Sequence, residues 1–239
     1  MNHPDLNCDL GEHEAITTTA ALMECIGSAN IACGGHAGTT ESMHRCIELA
    51  LRCGVKIGAH PGLMTDGGRG QRFPSATELR HLLEEQVLPF QEMVASHGAS
   101  LHHIKLHGTL YHATDQVPEL ADAYLQWCAE NIGNSFLYCR SGAATSQLAA
   151  CNGQPYQNEC FLDRAYEADG SLRARHHADA VLHELSELRY RLELWRDHRV
   201  LQAHNGELLR LACDTFCLHS DSPQALAFAR FTKQFCLEH

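Results

Sequence analysis

Positive charge is scarce in this chain, and lysine is scarcer still. Eighteen lysines and arginines face twenty-nine aspartates and glutamates, a formal charge of −11, so phosphate backbones and anionic lipid surfaces are poor partners and nucleic-acid binding is excluded. No run approaches the ~18 apolar residues of a membrane span, and Met1-Asn2-His3-Pro4-Asp5 has no cationic region followed by an apolar stretch. A cytoplasmic protein is expected. Among the twelve cysteines there is no CxxC, and neither Cys46/Cys53 nor Cys213/Cys217 is matched by a second pair at zinc-site spacing. The thiols therefore read as small buried hydrophobes in a reducing compartment, not as a disulfide framework. There is no Gly-Lys dipeptide and so no Walker-type phosphate loop. Gly68-Arg69-Gly70 is followed by Phe73 where a dinucleotide fingerprint needs its third glycine, and neither a GxSxG elbow nor an HExxH helix occurs.

What is present is a chain of 239 residues, 44% hydrophobic, enough for one sizeable core and too short for two comfortable domains. A single domain over 1–239 is expected. Short β-rich runs at 5–10, 26–33, 55–60, 101–107, 134–139, 156–162 and 213–219 alternate with helical patterns near 40–53, 76–97, 118–132, 143–151, 179–196 and 223–237. That rhythm predicts a parallel sheet with helical crossovers. Ser75 with Glu78 reads as a capping box, Ser222-Pro223 as an N-cap with a first-turn proline, and Gly54, Gly98 and Gly133 as helix stops. Between 199 and 213 the rhythm breaks. Arg199–His204 and Glu207–Arg210 flank Asn205-Gly206, which predicts a small β-hairpin with a two-residue turn before the last strand.

One feature recurs without a fixed period: a strand-like run ending in histidine, at His36, His60, His107 and His219. Alternate residues of a strand share a face, so Lys56 joins His60, His103 and Lys105 join His107, and Asn7 joins Asp9, while Val55, Ile57, Ile104 and Leu106 face the helical layer. In a parallel α/β barrel the carboxyl ends of the strands meet at one rim, and four strand-end histidines would converge there on one cavity. Only Lys56, Lys105 and Lys233 are lysines, and two of them sit within strand runs on the histidine face, where a compact ammonium can bind or polarise a substrate oxygen. His81, His97, His176, His177 and His183 lie on helical or loop segments and read as solvent-facing; His102, His112 and His204 receive no role.

Asp9, Glu12, the four histidines and Lys105 form a set suited to general acid and base work on a carbonyl, with or without a metal. Asp and His side chains on different strands could hold a divalent ion, with Asp9, His36, His60 and His107 as its candidate ligands, although no spacing demands one.

Six ordered blocks carry a resemblance: Asp5-Leu-Asn-Cys-Asp-Leu-Gly-Glu12, Ser28-Ala-Asn-Ile-Ala-Cys-Gly-Gly-His-Ala-Gly38, Ile57-Gly-Ala-His-Pro-Gly62, His103-Ile-Lys-Leu-His-Gly-Thr-Leu-Tyr111, Phe161-Leu-Asp-Arg-Ala-Tyr166 and Cys217-Leu-His-Ser-Asp-Ser-Pro223. They resemble, in order, the motifs of the LamB/YcsF family, known as the A subunit of the prokaryotic ATP-dependent 5-oxoprolinase, and the match runs from Asp5 to about Ala229. The resemblance implies a distorted (β/α) TIM-like barrel of about seven parallel strands, related to the glycoside hydrolase and deacetylase barrels. It also implies opening of the lactam 5-oxoproline to glutamate with ATP as co-substrate, and the B and C subunits of 5-oxoprolinase as partners. On that reading Asp9 or His60 is the base for water, and Lys105 and His107 stabilise charge on the carbonyl oxygen or its phosphate. Arg72 and Arg164 are candidates to clamp a carboxylate or phosphate; for Asp163-Arg164 an internal ion pair is the alternative. Asn7, Glu12, Asn30, His36, Asp163, His219 and Asp221 complete the expected substrate-binding set. The chain departs from the family pattern at Thr39, Leu106 and Ser220, around the polar strand ends. A metal-dependent amidase or deacetylase, and a non-catalytic binding subunit, stay open beside the oxoprolinase reading.

Overall fold

Strand and helix alternate along the chain: β1 (Asp5–Leu10), α1 (Ile16–Met23), β2 (Ser28–Ala32), α2 (Thr40–Cys53), β3 (Lys56–His60), α3 (Ala76–Ser96), β4 (His103–Ile104), α4 (Gly108–Gln116), α5 (Pro118–Asn131), β5 (Phe136–Arg140), α6 (Ala144–Asn152), β6 (Tyr156–Phe161), α7 (Leu185–His198), β7 (Leu201–Gln202), β8 (Leu208–Leu209), β9 (Thr215–His219) and α8 (Ala225–Glu238). The structure, a computed structural model, describes residues 3–70 and 72–238. Strands β1 to β6 and β9 pair side by side in parallel, and β9 closes the sheet onto β1, giving a seven-stranded TIM-like barrel. The helices pack outside it, through the apolar residues of opposite strand parity, among them Cys8, Ile31, Ile57, Ile104 and Leu218.

Local chemistry sets the element ends. Thr39 and Ser42 cap α2 reciprocally, and Gly54 stops it in the left-handed region, φ 69°. Ser75 and Glu78 form the expected capping box of α3. Ser222 Oγ accepts the Gln224 N–H, so the last helix begins two residues later than its proline suggested. Three further departures have physical reasons. Helix α1 carries Thr17-Thr18-Thr19, a β-branched run that hides a helix in a propensity reading. Helix α4 follows directly on the expected strand end, with His107 as its N-cap residue. Helix α7 starts at Leu185, not 179, because 163–184 folds back over the barrel rim, bridging Arg164 to Val181 and Tyr166 to Leu172. The β7–β8 hairpin is present, but its turn is longer than two residues: Gly206 N–H donates to Ala203 O and Ala203 N–H to Glu207 O, with Gly206 at φ 91°.

The barrel interior is polar where most such barrels hold branched aliphatics. Asn7 donates to Thr215 Oγ1 (2.8 Å), Asn30 to Asn7 Oδ1 (2.8 Å), and His103 Nε2 lies 2.7 Å from Asn30 Oδ1. Tyr138 stacks on His103 and donates to Ser28. Each of these groups is buried and bonded, so the column specifies the barrel without leaving orphan polar atoms.

Candidate active site

This polar column ends at the carboxyl rim in a charged floor. Asp9, from β1, accepts hydrogen bonds at Oδ1 from Asn30 Nδ2 (2.7 Å) and from Lys105 Nζ (2.8 Å). Lys105 Nζ also lies 3.0 Å from Glu159 Oε1 and 3.0 Å from Cys217 Sγ. Burial alone would favour a neutral amine, but Asp9, Cys217 and Glu159 hold the Lys105 pKa well above its ordinary value. Burial likewise pushes the Asp9 carboxyl up, yet His60 and Lys105 outweigh it and keep Asp9 well below the usual carboxylate range. Tyr111 donates to Glu159 Oε2 at 2.7 Å and fixes the second carboxylate.

Beside this ion pair stand three imidazoles. His60 Nδ1 lies 2.7 Å from the Lys105 carbonyl and His107 Nε2 3.0 Å from the Gly67 carbonyl, so each of those nitrogens is the donor. The inner nitrogens, His60 Nε2 and His107 Nδ1, face each other at 2.9 Å. Glu12 Oε1 lies 2.9 Å from His36 Nε2, 3.2 Å from His107 Nδ1 and 3.7 Å from His60 Nε2. His36 stacks on His107 with centroids 3.6 Å apart. Burial pushes His107 down to about 4 and lowers His36 as well. His219 closes the floor: its Nδ1 lies 3.0 Å from Asp163 Oδ2 and its Nε2 4.0 Å from Asp9 Oδ2. The four histidines thus gather at one rim, His60 and His219 at the ends of β3 and β9, His36 and His107 in the segments just beyond β2 and β4 and not on the strands themselves.

Above the floor lies a cavity of about 400 Å³, walled by Phe73, Leu106, Tyr111, Phe161 and Leu172 and rimmed by Arg69, Arg164 and Arg175. Arg164 donates to the carbonyls of Ala180 and Arg173, and Asp163 is engaged by His219, so no direct Asp163–Arg164 bridge forms. Burial, with Arg175 nearby, lowers the Arg164 pKa to about 10. Asp221 accepts from Arg69 Nη2 (2.9 Å) and Arg175 Nη1 (3.0 Å), so it orients the rim arginines. Arg72 lies elsewhere: it is exposed and paired with Glu78 at 2.6 Å. Asn7 and Asn30 lie beneath the cavity floor, in the interior column, and Lys56 sits at the opposite barrel end, 3.9 Å from Asp5.

Among the described residues two groups offer metal-ligand atoms within 4.8 Å of one another: Glu12, His36, His60 and His107, and Asp9, Cys217 and His219. The Lys105 ammonium already occupies the second, bonded to both Asp9 and Cys217. The first places Glu12 where the sequence reading had Asp9. Sequence reasoning also passed over Glu159, Cys217, His112, Arg69 and Arg175, all on the floor or cavity wall. Glu159 and Cys217 share interior parity with Phe161 and His219, a signal of the same kind that pairs Asn7 with Asp9. The arginines stand on irregular segments and had no such signal.

A closed parallel barrel with a charged cavity at the strands' carboxyl ends defines a (β/α)-barrel of the kind that builds active sites from that rim. Residues 4–239 match the LamB/YcsF family, and the chain belongs to it. The 5-oxoprolinase A subunit of Bordetella pertussis is 38% identical over 232 residues, covering 95% of this chain and 92% of that protein. Its counterpart from Pyrococcus abyssi is 36% identical over 227 residues, covering 93% and 89%. Among solved structures, the lactam utilization protein from Thermus thermophilus superposes with a TM-score of 0.89 at 26% identity, covering 99% of this chain and 97% of that one.

Proposed function

We propose that this chain opens the lactam 5-oxoproline to glutamate as the catalytic subunit of an ATP-dependent 5-oxoprolinase, working with the B and C subunits. The observation that carries this reading is the buried Lys105–Asp9 pair, which sets a fixed positive charge and a carboxylate side by side at the floor of an arginine-rimmed cavity. The names of its relatives point the same way.

A lactam is a resonance-stabilised amide, and water attacks it slowly. Phosphoryl transfer from ATP to the lactam oxygen makes the ring carbon electrophilic. Asp9 Oδ2, the oxygen not bonded to Lys105, takes a proton as water adds to that carbon. The C–N bond then breaks, the nitrogen gains a proton, and the acyl phosphate so formed is hydrolysed by a second water to glutamate and phosphate. Lys105 stabilises the negative charge that develops on oxygen; the one N–H of neutral His107 is held by the Gly67 carbonyl and is not available to it. Arg164 and Arg175 hold the substrate carboxylate or the phosphoryl group, since a guanidinium binds either bidentately. All twelve cysteines are free, in keeping with a cytoplasmic protein. Among the described residues no helix is long and apolar enough to cross a membrane.

Reconstitution tests this. The chain mixed with the B and C subunits, ATP and 5-oxoproline releases glutamate, and omitting the chain abolishes release. A complete mixture that releases no glutamate overturns the proposal.

A further inference from the structure

The inward nitrogens of His60 and His107 pose an electrostatic problem. Each ring, when neutral, commits its only N–H outward to a carbonyl, so two lone pairs meet at 2.9 Å with the Glu12 carboxylate oxygen beside them. Lone pairs and an anion converging on one point repel unless a proton or a metal ion stands among them. The charge at the floor points the same way. Asp9, Glu12 and Glu159 touch Lys105 or the imidazoles, and among the described residues Lys105 is the only lysine or arginine paired with any of these three carboxylates, which with neutral imidazoles leaves two buried negative charges without a cationic partner.

We propose that Glu12 Oε1, His60 Nε2 and His107 Nδ1 hold one divalent transition-metal ion of zinc's borderline class. For donors about 2.0–2.1 Å from a tetrahedral ion, neighbouring ligand atoms lie about 3.3 Å apart; the three separations here are 2.9, 3.2 and 3.7 Å. His60 and His107 are nearly perpendicular, at 83°, which lets both nitrogens address one point. Their outward N–H bonds to carbonyls are the supporting contacts that metal-bound imidazoles require. His36 takes a different part. Its plane lies 7° from that of His107 in a stack, so its Nε2 cannot aim at the same ion; it holds the Glu12 carboxylate in place. Three protein ligands leave a fourth position, which opens on the cavity beside Asp9 Oδ2 and is the arrangement of a catalytic metal, not a structural one. The inference concerns binding and stands whatever the substrate.

Metal content is the readout. Chelator-treated protein is loaded with Zn²⁺, or with Co²⁺ as a visible-absorbing probe, desalted, and assayed by elemental analysis and calorimetry. One ion per chain is expected, with Glu12→Gln losing stoichiometric retention and His36→Ala binding about 10–100-fold more weakly. Circular dichroism establishes that both variants fold. Wild-type protein that retains no ion, or a folded Glu12→Gln variant that binds as tightly as wild type, overturns the site. Reconstituted glutamate release is scored separately, so ring opening without bound metal would sink the site and leave the lactam reading standing. Stoichiometric metal without ring opening would do the reverse.

Discussion

Lys105, the residue that follows β4, and Asp9 of β1 meet at 2.8 Å, Nζ to Oδ1, where both side chains are buried. Removing one partner leaves the other as an uncompensated buried charge, which costs about 3–5 kcal/mol. Lys105→Met is therefore expected to lower unfolding stability by about that amount in urea denaturation, and to abolish glutamate release. Because Glu159 shares the ammonium at 3.0 Å, Lys105→Met combined with Glu159→Gln is expected to recover part of the stability and none of the activity. Equal stability of Lys105→Met and wild type would show that the ion pair is not what holds the floor together.

His103 supplies a pH dependence of definite sign. It is fully buried between Asn30 and Tyr138, and burial holds its pKa well below the ordinary value of 6.5. Below about 6.5 the unfolded chain binds a proton that the folded chain refuses. Its contribution to stability is then complete above that pH and is lost as pH falls, by up to about 1.4 kcal/mol per unit for the one group. His103→Gln is expected to flatten the fall in urea-unfolding free energy between pH 7 and 5.5 by about one proton's worth. An unchanged slope would place the proton uptake elsewhere.

Much of the barrel was legible in the sequence because it rests on local signals. Ser75 and Glu78 form the capping box that their spacing announced, and Gly54 ends the second helix as expected. The meeting of His36, His60, His107 and His219 follows from parallel topology once each closes a strand run. What stayed hidden depends on distant contacts. Glu12 was in the expected set, but that it takes the place expected of Asp9 beside His36, His60 and His107 depends on a turn at Gly11, φ 75°, which no periodicity announces. Arg175 belongs to a segment that reads as the approach to a helix and instead folds over the rim, held to Asp221 across 46 residues of sequence.

That placement makes Arg175 a test of substrate anchoring. It is partly exposed and its side chain pairs with Asp221, so Arg175→Ala is expected to leave unfolding stability within about 0.5 kcal/mol. A lost hydrogen bond to a charged group is worth about 1.5–3 kcal/mol, or roughly 10- to 150-fold. The loss is expected in KM for 5-oxoproline in the reconstituted assay, with kcat changed little if Arg175 grips substrate and transition state alike. A loss confined to kcat would assign Arg175 to the reacting centre instead.

Gly58 tests the packing beneath the floor. A Cβ there would lie 2.1 Å from His103 Nε2, and no backbone strain complicates the substitution because Gly58 is not in the left-handed region. Gly58→Ala forces the imidazole away from Asn30 and Tyr138, an overpacking expected to cost about 1–3 kcal/mol. In a His103→Ala background the same methyl enters the space the ring vacated, and its cost is expected to vanish or change sign. The double-mutant cycle in urea should then show a coupling of at least about 1 kcal/mol, as residues in direct contact do. Additive costs would mean that the ring and the glycine do not share this space, and that His103 holds its place in the interior column for some reason other than the absence of a side chain at position 58.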